Sequence, residues 1–182
     1  MSYLKSLSDN IKSEKDLYIF TKQERVIRRT LGLQHLHKQM SDIIRSHVSE
    51  ERKSNVKAQM TNWFLHQEYG NIITQVCEQI IGIASSLSDR KLKYTTYDCW
   101  GAIYKSNDYT VTHTHWPALW SWCYYIQVPE NSPPLVFPQA KLKVFPKKDE
   151  VIIFPGHVQH EVPKCTDMQG ERIILAGNIY LS

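Results

Sequence analysis

The spacing of apolar residues changes near residue 90, and this change constrains the fold more than any other feature of the 182-residue chain. Before it, apolar residues recur every three or four positions, as on one face of an α-helix. After it, short β-branched and aromatic runs alternate with turn-forming clusters, which is typical of a sandwich or barrel. We therefore predict one structural domain with a helical support region over residues 1–90 and a β-rich core over residues 91–182.

Two long helices are predicted in the first region. One lies within residues 24–48, where Leu33, Met40, Ile44 and other apolar residues form a stripe. The other runs from about residue 71, with Asn71 as the predicted N-cap, to residue 87. The intervening residues 57–69 are rich in large side chains, and they predict a short helix or an irregular segment.

Eight short runs in the second region predict strands. They cover residues 94–102, 109–114, 120–128, 135–137, 141–145, 151–154, 158–162 and 172–181. Eight strands at this spacing suit a jelly roll, also called a double-stranded β-helix. The predicted class is α+β, with the helices covering one outer face of a sheet.

Composition and charge argue against several classes of protein. The chain is 42% hydrophobic and 22% charged, which is typical of a globular protein and not of a disordered one. Its formal net charge of +4 is small for a nucleic-acid-binding protein and fits an anionic small substrate. The sequence shows no membrane-spanning run, no signal-peptide pattern and no C-x-x-C pair among its four cysteines. We therefore expect a cytoplasmic protein with reduced thiols.

Histidines in the β-rich region form the clearest candidate for a metal site. His113 and His115 stand at positions i and i+2 of a predicted strand, so their side chains point to one face with Cα atoms about 7 Å apart. Two imidazoles at that separation can bind one metal ion, and His160 is the best candidate for a third ligand from another strand. An isolated H-x-H is more often structural, and His35 and His37 form the same pattern on a predicted helix, where such residues diverge. We assign those two no function.

Five stretches of the β-rich region, in a fixed order, resemble a known family of enzymes. They cover residues 99–104, 113–117, 121–126, 154–163 and 172–178, and the second of them is His113-Thr114-His115-Trp116-Pro117. In this order they resemble the prolyl-hydroxylase-like Fe(II)/2-oxoglutarate dioxygenases, and in particular the oxygenases of phages and bacteria with an H-x-H-P-type motif. Each stretch alone is weakly specific, whereas the order of all five is fairly specific. The resemblance covers a little under half of the chain.

The resemblance implies a non-haem iron enzyme that uses Fe(II), 2-oxoglutarate as cosubstrate and O2. It implies that His113 and His160 are iron ligands and that Arg172 binds the 5-carboxylate of 2-oxoglutarate. Arginine offers a planar bidentate fork for a carboxylate and would be costly to bury on a core strand without such a partner. Tyr125 resembles the tyrosine that helps to hold this carboxylate, and Tyr104 resembles one that lines the cosubstrate pocket. Ordinary core aromatic residues are an equally good interpretation of both tyrosines.

His115 departs from the family pattern, because Asp or Glu is usual at this position in the triad of two histidines and one carboxylate. Ligation by three histidines is our preferred prediction, since the spacing is met without another residue. A carboxylate from elsewhere, with Asp108 the nearest candidate, stays open as the third ligand. Three neutral imidazoles leave Fe(II) with two positive charges, which should weaken the electrostatic hold on the ion.

The expected activity is hydroxylation of an unidentified substrate, with conversion of 2-oxoglutarate to succinate and CO2. One alternative is a cupin-like metal enzyme with three histidine ligands, which would not use 2-oxoglutarate and would not need Arg172. Another is a non-catalytic jelly-roll binding protein in which the histidines are incidental. Metal analysis separates this last class from the first two, and substitution of Arg172 separates the first two from each other.

Overall fold

The computed structural model describes residues 24–49, 55–87 and 92–182. The parts of the helical prediction that fall on residues 1–23, 50–54 and 88–91 lie outside these ranges. The helices are α1 (His37–His47), α2 (Leu65–Glu68) and α3 (Gly70–Ser86), with 3-10 turns at Gln34–Leu36 and Pro138–Ala140. The strands are β1 (Ile27–Thr30), β2 (Val56–Lys57), β3 (Gln59–Met60), β4 (Tyr94–Thr95), β5 (Cys99–Tyr104), β6 (Tyr109–His113), β7 (Trp120–Gln127), β8 (Leu135–Phe137), β9 (Leu142–Val144), β10 (Glu150–Pro155), β11 (His160–Val162) and β12 (Arg172–Leu181).

The strands pair antiparallel in two sheets. The larger sheet has seven strands in the order β1-β10-β7-β12-β5-β3, with β4 paired to β12 outside this path. The smaller sheet has five strands in the order β2-β6-β11-β8-β9. A cluster of buried side chains from both sheets fills the space between them, as in a sandwich. The β-rich core is therefore built as the spacing of the sequence predicts, and all eight predicted strand runs contain strands.

Alternation along β7 gives the larger sheet two differently occupied faces. Trp122 and Tyr124 pack with the helices in one buried cluster, and Cys123 and Tyr125 pack with the second sheet in another. Helices α1 and α3 contribute buried apolar residues to the first cluster, including Met40, Ile44, Ile73, Val76 and Ile80. The helices thus cover the outer face of the larger sheet, as expected.

The helix predicted within residues 24–48 is shorter than expected. Only α1 is α-helical, and Ile27–Thr30 instead forms β1 at the edge of the larger sheet, paired with β10. Gly32, with a φ of 73°, follows this strand. The Asp149 side chain accepts hydrogen bonds from the backbone N–H groups of Gly32 and Leu33, both at 3.0 Å. Pairing with a strand distant in sequence therefore overrides the local helical pattern.

The first region, predicted as helical except for residues 57–69, which were left open, also supplies strands to both sheets. Strand β3 pairs with β5 in the larger sheet, and β2 pairs with β6 in the smaller one. Helix α3 matches the second predicted helix, but its N-cap is Tyr69, and Asn71 lies within the first turn. None of the described helices is both long enough and apolar enough to cross a membrane.

Candidate metal centre

Three histidines converge at one end of the space between the sheets. His113 ends β6 and His160 begins β11, and these two residues are paired across the smaller sheet. His115 lies just beyond β6, where its backbone N–H donates to the carbonyl of Gly156 at 2.7 Å. The ring centroids are 4.8 Å apart for His113 and His115, 4.3 Å for His113 and His160, and 5.0 Å for His115 and His160. The predicted ligands are therefore neighbours in space.

The spacing of the ring nitrogens suits a single metal ion. One nitrogen from each histidine lies within 4.8 Å of the corresponding nitrogens of the other two. Two ligands at about 2.1 Å from a shared ion can be at most about 4 Å apart, so small side-chain rotations close the site. Among the described residues, this is the one group of three or more potential metal ligands, and it contains no carboxylate.

Backbone carbonyls fix the tautomers of two of the rings. The Nδ1–H of His113 donates to the carbonyl of Val111 at 2.8 Å, and the Nδ1–H of His160 donates to that of Val158 at 3.1 Å. A carbonyl group can only accept, so Nδ1 carries the proton and Nε2 keeps its lone pair in both rings. Such an outer hydrogen bond is the usual support of a metal-binding histidine.

The electrostatics of the three rings favour the form that binds metal. Burial is the main cause of a lowered pKa for His113, and it lowers the pKa of His115 and of His160 to about 3 each. The neighbouring imidazoles lower the pKa of His115 and His160 further. All three side chains are consequently neutral at pH 7, and the neutral imidazole is the metal ligand.

Asp108, the alternative third ligand, is occupied elsewhere. It lies in the turn between β5 and β6, where its Oδ2 accepts a hydrogen bond from the backbone N–H of Lys105 at 2.9 Å. It is not part of the group of potential ligands formed by the three histidines. The fold thus brings His115, and not Asp108, to the other two histidines.

Arg172 is buried at the opposite end of the same space, with only 1% of its surface exposed. Its Cζ lies 4.4 Å from the ring centroid of Tyr104 and 5.8 Å from that of Tyr125. Its Nη1 donates to the carbonyl of Pro133 at 2.9 Å, whereas its Nε and the Tyr125 hydroxyl have no hydrogen-bond partner. None of the ion pairs between described residues includes Arg172. A buried cation beside an unpaired hydroxyl is costly unless an anion binds there.

One cavity of about 50 Å³ joins the histidines to Arg172. All six residues predicted for the site line it: His113, His115, His160, Arg172, Tyr104 and Tyr125. Burial raises the pKa of Tyr104 and of Tyr125, so both hydroxyls stay protonated at neutral pH. The cavity therefore has nitrogen ligands at one end and hydrogen-bond donors with a positive charge at the other.

Cys123 and Thr110 are two of the further lining residues that were not predicted for the site. Cys123 stands two positions before Tyr125 on β7, so strand alternation could have identified it; burial raises the pKa of its thiol to about 11. Thr110 shares a hydrogen bond of 2.7 Å with the Tyr104 hydroxyl. Thr110 and His113 are three positions apart, so regular alternation would place them on opposite faces of β6. The pairing of β6 with β11 shifts register between these positions, which the sequence does not indicate.

Comparisons with known proteins agree with this geometry at the level of the fold. No protein-family model matches the sequence, and no curated protein matches it. The viral collagen prolyl hydroxylase of Paramecium bursaria Chlorella virus-1, solved with 2-oxoglutarate, superimposes with a TM-score of 0.62 at 20% identity over 87% of this chain and 96% of that one. A 2OG-Fe(II) oxygenase family oxidoreductase from Burkholderia pseudomallei gives 0.63 at 12% identity, over 85% and 83%. A prolyl hydroxylase from Trichoplax adhaerens, solved with a peptide of the hypoxia-inducible factor oxygen degradation domain, gives 0.59 at 16% identity, over 98% and 93%.

At such identities the likeness establishes the fold alone, and function has to be argued from the site. The chain has the fold of the solved 2OG-Fe(II) oxygenases, and the similarity extends over the helical region as well as the β-rich core. The resemblance inferred from five short stretches of sequence is thereby confirmed for the fold.

Proposed function

We propose that this chain is an Fe(II)- and 2-oxoglutarate-dependent dioxygenase that hydroxylates a substrate. The observation that supports this most is the cavity that joins three imidazoles to a buried arginine, which has no acidic partner among the described residues. A dicarboxylate that binds a metal through one end and needs a cation at its other end matches both sets of groups. The shared fold with 2OG-Fe(II) oxygenases, and the four free cysteines expected of a reducing cytoplasm, agree with this proposal.

The donor set fits ferrous iron. His113 and His160 would bind it through Nε2, since the Nδ1 of each is hydrogen-bonded to a carbonyl, and His115 would complete one face of the ion. Bound iron and O2 would supply the oxidising chemistry that converts 2-oxoglutarate to succinate and CO2 and oxygenates a substrate C–H bond. The tasks of the protein are then to orient the cosubstrate and to exclude water.

The inner end of the cavity would hold the 5-carboxylate of 2-oxoglutarate. The unpaired Nε of Arg172 and the unpaired hydroxyl of Tyr125 would both donate to it. The ring of Tyr104 packs against the guanidinium, and its hydroxyl bonds to Thr110, so the arginine is held in one orientation. Because the site is buried, this ion pair would be much stronger than one in water.

Three histidines leave the iron more positive than the usual triad does, and the cosubstrate would then supply all of the compensating negative charge. His115→Asp should therefore tighten Fe(II) binding, because it adds a carboxylate at the position that the usual triad occupies. His115→Ala should weaken Fe(II) binding, and Asp108→Asn should leave it unchanged as the matched control. Iron stoichiometry and succinate formation, measured for all three variants, test the assignment; iron binding and turnover by His115→Ala like those of the parent would remove His115 from the site.

A second candidate is a three-histidine metal enzyme of the cupin type that does not use 2-oxoglutarate. The absence of a carboxylate from the group of metal ligands favours it. Such an enzyme has no need of a buried arginine with unpaired donors, so Arg172→Ala would then leave its activity unchanged. A chain that binds neither metal nor 2-oxoglutarate would be a non-catalytic binding protein, and titration of the purified protein with each ligand decides this.

A further inference from the structure

A second and wider groove opens on the metal centre from the outside. It has a volume of about 360 Å³ and shares His113 and His115 with the inner cavity. Its other lining residues include Trp63, Asp98, Trp100, Trp116, Asn178 and Tyr180. Because it reaches two of the proposed ligands without passing Arg172, it is suited to the primary substrate and not to the cosubstrate.

Aromatic rings line this groove from its surface to the metal centre. The ring centroids of Trp63 and Trp100 are 4.6 Å apart, and those of Trp100 and His115 are 5.9 Å apart. Trp116, next to His115 in sequence, is 76% exposed, so the packing of the core does not explain it. The faces of indole rings attract cations as well as apolar groups.

One carboxylate stands among these rings, held in place by neutral donors. Asp98 accepts hydrogen bonds at Oδ1 from the backbone N–H of Asn178 at 3.0 Å, and at Oδ2 from the Asn178 amide at 2.9 Å and the Tyr180 hydroxyl at 3.1 Å. The Asn178 amide is itself fixed, because its oxygen accepts from the Ser121 hydroxyl at 2.7 Å. Three of the roughly four acceptor positions of a carboxylate are thus used, and its orientation is set before any ligand arrives.

Among the residues that the structure describes, none offers a positive charge to Asp98 in the groove. None of the ion pairs between described residues includes it, and no described lysine or arginine lines the groove. His66 lies close enough to interact with this charge, but burial lowers the pKa of His66, so it is neutral at pH 7. A fixed carboxylate with a free acceptor position, in a groove that is also lined by indole rings, is complementary to an organic cation.

We propose that this groove binds an alkylammonium or guanidinium group of the primary substrate, next to the metal centre. The identification of the bound cation as part of the oxygenated substrate rests on the proposed function, whereas the binding itself does not. Asp98 would bind the cationic group, and Trp63 and Trp116 would contact the methylene groups and the face of the charge.

Binding is tested with a pair of ligands that differ only in their charge. The zinc-loaded protein, which cannot turn over, is titrated with Nα-acetyl-lysine N-methylamide and with Nα-acetyl-norleucine N-methylamide, by calorimetry or tryptophan fluorescence. We expect the lysine derivative to bind at least about ten-fold more tightly, as for a hydrogen bond to a charged group. Equal affinities for the two ligands would overturn the proposal.

Variants assign the preference to the groove. Asp98→Asn should abolish the preference for the lysine derivative, and Asp42→Asn, which removes the same charge from the exposed surface of α1, should preserve it. Trp116→Ala, at an exposed position that tolerates substitution, should reduce the preference by about two- to five-fold. A preference that survives both Asp98→Asn and Trp116→Ala would place the cation elsewhere and overturn the proposal.

Two further measurements complete the design. Titration with 1,5-diaminopentane shows whether a free amine or an amino-acid side chain is preferred, and either result supports a cationic ligand. 2-Oxoglutarate binding is titrated separately in the parent and in Asp98→Asn. Failure of 2-oxoglutarate to bind to the parent protein would count against the proposed function only. Equal affinities of the parent protein for the lysine and norleucine derivatives, together with normal 2-oxoglutarate binding, would count against the groove only.

Discussion

Two consecutive tyrosines on β7 show how differently the two faces of the larger sheet are built. Tyr124 points to the helices, where its hydroxyl donates to Asp149 Oδ1 at 2.7 Å and accepts from His37 Nε2 at 2.8 Å. Tyr125 points into the cavity, where its hydroxyl has no partner. Both are fully buried, so burial alone does not distinguish them. The difference is that the Tyr124 hydroxyl is satisfied within the protein, whereas the Tyr125 hydroxyl is left free to donate to a ligand.

The same contrast holds for the charged residues of the two faces. Asp149 on the helix face accepts four hydrogen bonds, from Tyr124, from Gln34 and from the backbone of Gly32 and Leu33. Arg172 on the cavity face makes one, to the carbonyl of Pro133, and keeps its Nε unpaired. A satisfied buried network stabilises and orients the chain, whereas an unsatisfied one reduces stability in exchange for binding. Substitutions on the two faces should therefore separate stability from ligand binding.

The largest effect is expected at the metal end of the cavity face. His160→Ala should abolish stoichiometric binding of Fe(II) or zinc, because the ligand on β11 has no local replacement and the other two lie on β6 or just beyond it. His157→Ala is the control, since His157 lies in the preceding turn and bonds to Glu24. Metal content after gel filtration is the measurement. A full complement of metal in His160→Ala would exclude this histidine from the site.

The next largest effect is expected at Arg172. Its replacement by Ala should raise the Kd of 2-oxoglutarate at least about 30-fold, the cost of removing one partner from a buried charge pair. Arg172→Lys should recover only part of this, because a lysine lacks the bidentate geometry. In the absence of ligand, Arg172→Ala should lower the free energy of unfolding less than a substitution that breaks a satisfied network does. The reason is that the Arg172 side chain has few hydrogen-bond partners to lose. A 2-oxoglutarate titration that is unchanged in Arg172→Ala would contradict the proposed role.

On the helix face the expected result is reversed. Asp149→Asn tolerates the left-handed backbone at this position, where φ is 66°, but replaces one accepting oxygen by an amide nitrogen. We expect the free energy of unfolding to fall by about 2 kcal/mol, because buried donors lose their acceptor. Metal stoichiometry and the Kd of 2-oxoglutarate should stay at the parent values. Urea unfolding and ligand titration of the same sample test this, and a large change in the Kd would show that the faces are coupled.

These two faces also differ in how well the sequence predicts them. That His113, His115, His160 and Arg172 line one cavity could be predicted, because the proposed chemistry requires particular residue types in a particular order. The network of His37, Tyr124 and Asp149 could not, because its members lie 87 and 25 positions apart and any of many polar pairs would serve. The H-x-H pair of His35 and His37 was assigned no function, and nothing local in the sequence indicates that His37 is buried in a network.

The strands of the first region were missed for a related physical reason. The pairing of β1 with β10 joins residues such as Ile27 and Ile153, and the stabilisation comes from a partner that the local pattern does not contain. The strands of the core were predicted because each contains its own run of β-branched and aromatic residues between turn-forming clusters. Local periodicity therefore predicts elements that form a core, and it fails for short edge strands that complete one.

The smallest expected effect is a pH dependence of stability on the helix face. Burial is the main cause of the lowered pKa of His37, and the nearby Asp149 only partly opposes it. The Tyr124 hydroxyl donates to Asp149, so it accepts from the Nε2–H of His37, and the buried Nδ1 of His37 is left without a partner. Protonation at Nδ1 would then place a charge in the core without an acceptor. The unfolded chain takes up this proton more readily than the folded one.

Because the folded-state pKa is below the unfolded value of 6.5, this contribution to stability is complete above pH 6.5 and is lost as the pH falls through the folded-state pKa. We expect His37→Gln, whose amide can still donate to Tyr124, to make the unfolding free energy of the metal-free protein less sensitive to acid, by at most about 1.4 kcal/mol per pH unit. The site histidines have lowered pKa values too, so they add the same slope to parent and variant and cancel in the difference. His35→Gln, at the exposed first histidine of the pair, is the control. The test is urea unfolding of both variants between pH 7.5 and 5.5. If the unfolding free energy depends on pH equally in His37→Gln and His35→Gln, the fold does not keep His37 neutral, and solvent reaches the helix face more readily than its hydrogen bonds indicate.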